Sequence, residues 1–148
     1  MYESFLYFCK FRIIIIMPTV KKPRKISKNQ QEDLIFKGEL HEIIIQALQE
    51  KLASDIVLID LREKNAVFFD YLVLCTGNAK PHLETLADFA EECVFKSLKQ
   101  RPNHIEGREN CEWILVDYFN VILHVFNPET RAYYNIEKLW SDAPQQNC

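Results

Sequence analysis

Residues 113–126 read WILVDYFNVILHVF, and this stretch constrains the fold of the 148-residue chain most tightly. Two apolar runs, Glu112 to Asp117 and Val121 to Phe126, flank a short break, a pattern that predicts an antiparallel hairpin. With a loop of two or four residues, odd positions before the turn share a face with even positions after it. One face then holds Ile114, Val116, Val121, Leu123 and Val125 and is wholly aliphatic. The other holds Trp113, Leu115, Asp117, Asn120, Ile122, His124 and Phe126. The aliphatic face must lie against helices. The mixed face is left for solvent or a partner, since aromatic and apolar groups with a few polar ones between them make a typical protein–protein contact patch. A plainer account stands beside this one: His124 as a structural hydrogen-bonding residue, Asp117 as a strand terminator that shapes the turn.

The rest of the chain supplies the helices. In ELHEIIIQALQEKLA, residues Leu40, Ile43, Ile44, Ala47, Leu48 and Leu52 follow i, i+3, i+4 spacing and predict an amphipathic helix. Asp55–Leu61 and Ala66–Thr76 predict two strands joined by REKN. Gly77 breaks the second strand. Asn78 then caps a helix with Pro81 in its first turn and Leu83, Leu86, Ala87, Ala90, Val94 and Leu98 as its apolar stripe. A polar loop follows, with a short extended piece around Ile105, and Asn127–Pro128 open a last short helix. The order α-β-β-α-β-β-α predicts one α/β (α+β) domain, a mixed β-sheet of four or five strands with helices mainly on one face. It spans residues 39–144, after a basic extension at 1–38 and before a tail at 145–148.

Charge is distributed unevenly. Met17 to Lys37 carries six basic and two acidic residues; Gly38 to Cys148 carries 10 basic and 18 acidic, a balance of -8. An acidic domain repels phosphate backbones and suits a basic protein partner. The basic extension reads as a flexible segment that makes peripheral contact with RNA. Residues 1–16 carry Glu3, Lys10 and Arg12 inside an apolar run, too short and too charged for a membrane span and unlike a signal peptide. They read as an extension upstream of a start at Met17, and no membrane partner is expected.

Catalysis needs a constellation of groups, and the sequence presents none. The 5 Cys include no C-x-x-C pair, which points to a reduced compartment with Cys75 and Cys93 as buried apolar residues. The 4 His are scattered, so no metal is expected. The 3 Gly are isolated, which excludes a phosphate-cradling loop of the familiar kind. Gly77 and Asn78, with His82 beyond them, make a generic anion-friendly strand-to-helix turn. Cys75 with His82 lacks a third orienting group. Neither a catalytic residue nor a cofactor is expected, and the runner-up reading is a small nucleotidyltransferase-like enzyme that holds phosphate at the Gly77–Asn78 turn.

Several motifs together carry a family resemblance: DIVLID, CTGN with His82 after it, WILVDY with VILH, and YNIEKLW near the end. In combination they resemble the ribosomal silencing factor (Iojap-like) family over about Glu39 to Pro144. The resemblance implies a minimal, non-catalytic nucleotidyltransferase fold and a cytoplasmic, non-enzymatic role. It implies binding to the large ribosomal subunit through ribosomal protein L14, with steric exclusion of the small subunit and repression of translation under nutrient limitation. Organellar relatives assist large-subunit assembly. The expected docking set is Trp113, Leu115, Asp117, Tyr118, Asn120, Ile122, His124, Tyr133, Glu137 and Trp140, on a monomer or weak homodimer; Gly77, Asn78 and His82 are secondary candidates. Two motifs depart from the family pattern. The hairpin turn, usually D-x-G-D, reads Asp117, Tyr118, Phe119, Asn120, and Ala79 stands where Ser is usual. Loss of the turn glycine removes easy access to positive φ.

Overall fold

The computed structural model describes residues 36–64 and 68–148, and residues 35–148 form one compact unit. The expected extension at 1–38 therefore lies outside the description except for its last three residues, as do the first two residues of the expected strand from Ala66.

Helix α1 (Leu40–Glu50) forms where the apolar spacing predicts it. The Glu42 carboxylate reaches back to accept the Glu39 N–H at 2.8 Å, satisfying a donor that the first turn would otherwise orphan. Leu40, Ile43, Ile44, Ala47 and Leu48 are buried, but Leu52 is not part of the stripe. It lies beyond the helix end at φ 57°, where the chain reverses into the sheet, and is 80% exposed. Helix α2 (Lys80–Leu98) starts one residue later than expected, with Ala79 rather than Asn78 at its N-cap and Pro81 in the first turn. Its buried face holds Leu83, Leu86, Ala87, Phe89, Ala90, Cys93 and Val94, while Leu98 sits exposed at the end of the helix.

Among the described residues six strands, not four or five, form a single sheet: β1 (Ser54–Asp60), β2 (Tyr71–Thr76), β3 (His104–Glu106), β4 (Trp113–Asp117), β5 (Val121–Phe126) and β6 (Gln145–Asn147). Their order is β3-β4-β5-β2-β1-β6, with β2 and β5 parallel and every other neighbour antiparallel. The extra strand comes from the expected tail. Gln145–Asn147 pairs with β1 by backbone alone, so its polar sequence carries no alternating signature. Two short helices, α3 (Pro128–Tyr134) and α4 (Ile136–Leu139), precede it. Asn127 caps α3 by accepting the Thr130 N–H at 2.7 Å, as its place before Pro128 predicts.

Helices α1 and α2 cover one face of the sheet. The row Leu58, Val73, Leu123, Val116, Ile105 crosses it from β1 to β3, and Cys75, Val121, Val125 and Ile114 pack beside it. The opposite face is covered over only part of its width. One row runs Ile59, Leu72, Ile122, Asp117, His104; the next runs Val57, Leu74, His124, Leu115, Glu106. In both, residues of β1 and β2 are buried and residues of β3 are exposed. The closed half lies under the C-terminal segment, whose Ile136, Trp140 and Ala143 are buried. That segment is tied to the sheet where the Asp60 N–H donates to the Pro144 carbonyl at 3.0 Å.

Candidate functional site: the open half of the sheet's second face

The hairpin register is the one the alternation requires. Trp113 faces Phe126, Leu115 faces His124, and Asp117 faces Ile122. The Tyr118 N–H donates to the Val121 carbonyl at 3.0 Å, leaving Phe119 and Asn120 as a two-residue turn. Phe119 holds φ 74°, and the Asn120 N–H donates to the Tyr118 carbonyl at 3.0 Å. That is a γ-turn of the positive-φ kind, an arrangement that suits glycine and strains phenylalanine. The Asp117 carboxylate accepts the Phe119 N–H at 2.7 Å and steadies the turn. Asp117 thus shapes the turn while remaining partly accessible on the open face.

The expected docking residues divide into two groups. Leu115, Asp117 and Ile122 are half-buried, Asn120 is exposed, and Tyr133 is 77% exposed on α3. Trp113 is half-buried at the edge of this surface. His124, Tyr118 and Trp140 do not belong to it. Tyr118 follows Asp117, so alternation turns it onto the helix side, where it is buried in the main core. Trp140 packs into the C-terminal cover and is 3% exposed. His124 lies on the predicted face but within its closed part, at 2% exposure, with Leu74 of β2, Trp113 and Phe126 beside it.

Buried His124 has a specific task. Its Nδ1 accepts the Trp113 Nε1–H at 3.0 Å, which places the ring proton on Nε2. Desolvation lowers its pKa to about 3, so the ring is neutral at physiological pH. Phe126 stacks on Trp113 at 4.9 Å between centroids, and Tyr134 lies against the same indole at 5.1 Å. A covered His–Phe base therefore fixes the orientation of a half-exposed tryptophan, and the plainer account of His124 is the one the geometry supports.

Glu137 is also already engaged. Arg131, with its side chain 11% exposed, donates to the Glu137 carboxylate through Nε at 2.8 Å and through a terminal nitrogen at 2.6 Å. The other terminal nitrogen donates to the Asp55 carbonyl and to Thr76 Oγ1 at 2.6 and 2.7 Å. This cluster fastens α3 and α4 to the ends of β1 and β2. Two glutamates that the sequence reading passed over have no such ties among the described residues: Glu112, just before β4, and Glu129, in the first turn of α3. With Thr130, Tyr133 and Tyr134 they line a shallow groove of about 290 Å³ beside Trp113. Their only sequence signal is adjacency, to Trp113 in one case and to the Asn127–Pro128 helix start in the other.

The first two N–H groups of the turn after β2 are taken up by hydrogen bonds within the chain. The Gly77 N–H donates to the Phe126 carbonyl at 2.9 Å, and the Asn78 N–H to His82 Nδ1 at 3.1 Å. His82 Nε2 in turn meets the Lys51 carbonyl at 2.8 Å, so this ring joins the end of α1 to the start of α2. Gly77 is required by close packing: a Cβ there would lie 2.6 Å from Leu83 Cδ1. Among the described residues no group of three or more His, Cys, Asp or Glu could hold a metal ion, and no helix is long and apolar enough to cross a membrane.

Residues 36–148 match the family model described as ribosomal silencing factor during starvation. The chain belongs to this family. It is 36% identical to a Bacillus subtilis ribosomal silencing factor over 107 residues, 70% of this chain and 86% of that one. It is 32% identical to the Halalkalibacterium halodurans protein of the same name, covering 72% of this chain and 89% of that one. A mouse protein named mitochondrial assembly of ribosomal large subunit protein 1 is 30% identical over 68% of this chain, but the match spans only 44% of the mouse protein. A crystal structure of a Chromobacterium violaceum protein superposes with a TM-score of 0.65 at 29% identity, covering 69% of this chain and 83% of that one. The mixed sheet with helices α1 and α2 on one face is therefore the fold of this ribosomal silencing factor family.

Proposed function

We propose that this chain is a non-enzymatic ribosome anti-association factor of the cytoplasm. It binds the large ribosomal subunit through ribosomal protein L14 and sterically blocks joining of the small subunit, repressing translation under nutrient limitation. The observation that carries this reading is the half-covered second face of the sheet. Leu115 and Ile122 offer apolar area there, Trp113 and Tyr133 supply aromatic anchors, and Asp117 supplies charge for a basic partner. Occlusion needs only a bound body at the subunit interface and no chemistry. The engaged N–H groups of Gly77 and Asn78 speak against the rival phosphate-holding enzyme.

Subunit sedimentation tests the reading. The purified protein is expected to co-migrate with large subunits and to reduce joined ribosomes, and Ile122→Glu is expected to lose at least about tenfold in affinity. Joining left unchanged by the wild-type chain would reject occlusion, and equal binding by Ile122→Glu would reject this face. The name of the mouse relative favours a second reading, in which the same docking serves large-subunit assembly. In that case precursor particles are bound in preference to mature subunits.

A further inference from the structure

The groove between the start of β4 and helix α3 has a chemical character of its own. Its lining consists of two carboxylates, Glu112 and Glu129, one hydroxyl, Thr130, and two phenol rings, Tyr133 and Tyr134. Among the described residues no lysine or arginine lines it, and both glutamates are exposed. Neither carboxylate has a cation as partner among the described residues, whereas Asp60, Asp88, Glu91, Glu92, Glu137 and Asp142 all have one. The two rings meet edge to face at 5.0 Å between centroids, and Tyr134 leans on Trp113. The groove is thus continuous with the open half of the sheet, and Arg131, the nearest guanidinium in sequence, is fully spent on Glu137, Asp55 and Thr76.

We propose that this groove receives an arginine side chain of the basic protein that docks on the open face. A planar guanidinium stacks on exposed tyrosine and presents a fork of donors to carboxylates on either side; an ammonium offers only a point charge. The groove is small and shallow, which fits one side chain rather than a folded element. Its negative charge complements a basic partner, and its position beside Trp113 places the cation at the rim, where ion pairs set orientation and rate. The proposal deepens the docking reading and rests on it, but the groove can be examined without a ribosome.

The first arm is a titration of the full chain with a tetra-arginine peptide, followed by NMR of the tryptophan indole and tyrosine ring resonances. Arginine peptide is expected to shift the Trp113 indole and the Tyr133 and Tyr134 rings. Glu112→Gln/Glu129→Gln is expected to weaken that binding at least fivefold, and tetra-lysine to bind more weakly than tetra-arginine. Shifts spread evenly over the acidic surface, or unaltered by the double variant, would overturn the proposal. In the second arm the double variant is measured on large subunits beside Ile122→Glu. A fall in association rate with the double variant supports the groove. Full-strength binding by the double variant, with loss only in Ile122→Glu, rejects the groove and leaves the docking face standing. No binding by the wild type rejects the docking reading itself.

Discussion

At the scale of single residues, Phe119 and His124 are both placed against their intrinsic preference. Phe119 holds a left-handed φ of 74° at the hairpin tip and is 55% exposed, so it gains little packing in return for the strain. Phe119→Gly is expected to raise stability by about 1 kcal/mol, the relieved strain being partly offset by the greater freedom of glycine in the unfolded chain. Urea unfolding with an unchanged m-value would register this as a higher midpoint. His124 is the second case. Its folded pKa of about 3 lies below its ordinary 6.5. As pH falls through 6.5 the unfolded chain takes up a proton that the folded chain refuses, so the contribution of this ring to stability is lost progressively towards pH 3. The loss approaches about 1.4 kcal/mol per pH unit. His124→Asn keeps an acceptor for Trp113 and removes the titration. The stability difference between the two proteins is therefore expected to shrink from pH 7 to pH 4, as read by urea midpoints; a constant difference would contradict it.

At the scale of elements, the Arg131 cluster holds the C-terminal cover in place. Arg131→Met leaves the Glu137 carboxylate half-enclosed without its cation and frees Thr76 and the Asp55 carbonyl. The expected cost is about 2 kcal/mol, less than for a deeply buried pair because Glu137 keeps some contact with water; thermal unfolding measures it. The same element explains what local pattern can and cannot reveal. The α1 stripe up to Leu48, the limits of β5, the Asn127 cap and the faces of the hairpin were all legible in the sequence, because each depends on neighbours a few residues away. The strand β6 was not, because Gln145, Gln146 and Asn147 pair through backbone alone. The burial of His124 and Trp140 was not legible either. Alternation tells which residues share a face, but a distant segment decides how much of that face stays open.

At the scale of the whole molecule, the acidic domain and the basic segment from Met17 to Lys37 make opposite electrostatic contributions. If protein docking carries the binding energy, deleting residues 1–35 lowers affinity for large subunits by less than about tenfold and changes its salt dependence little. An RNA-led attachment would instead lose most of its affinity and its steep salt slope. Sedimentation at several salt concentrations separates the two. The order of the sheet has one further consequence. Strand β2 has β5 as its parallel neighbour, and Tyr71 meets Val121, fifty residues further along the chain. A nascent polypeptide that has reached only α2 therefore carries a raw, greasy ribbon edge with nothing to zip against it. Until Val121–Phe126 has been made, that edge has no parallel partner, and fragments that end before it are expected to aggregate or be degraded.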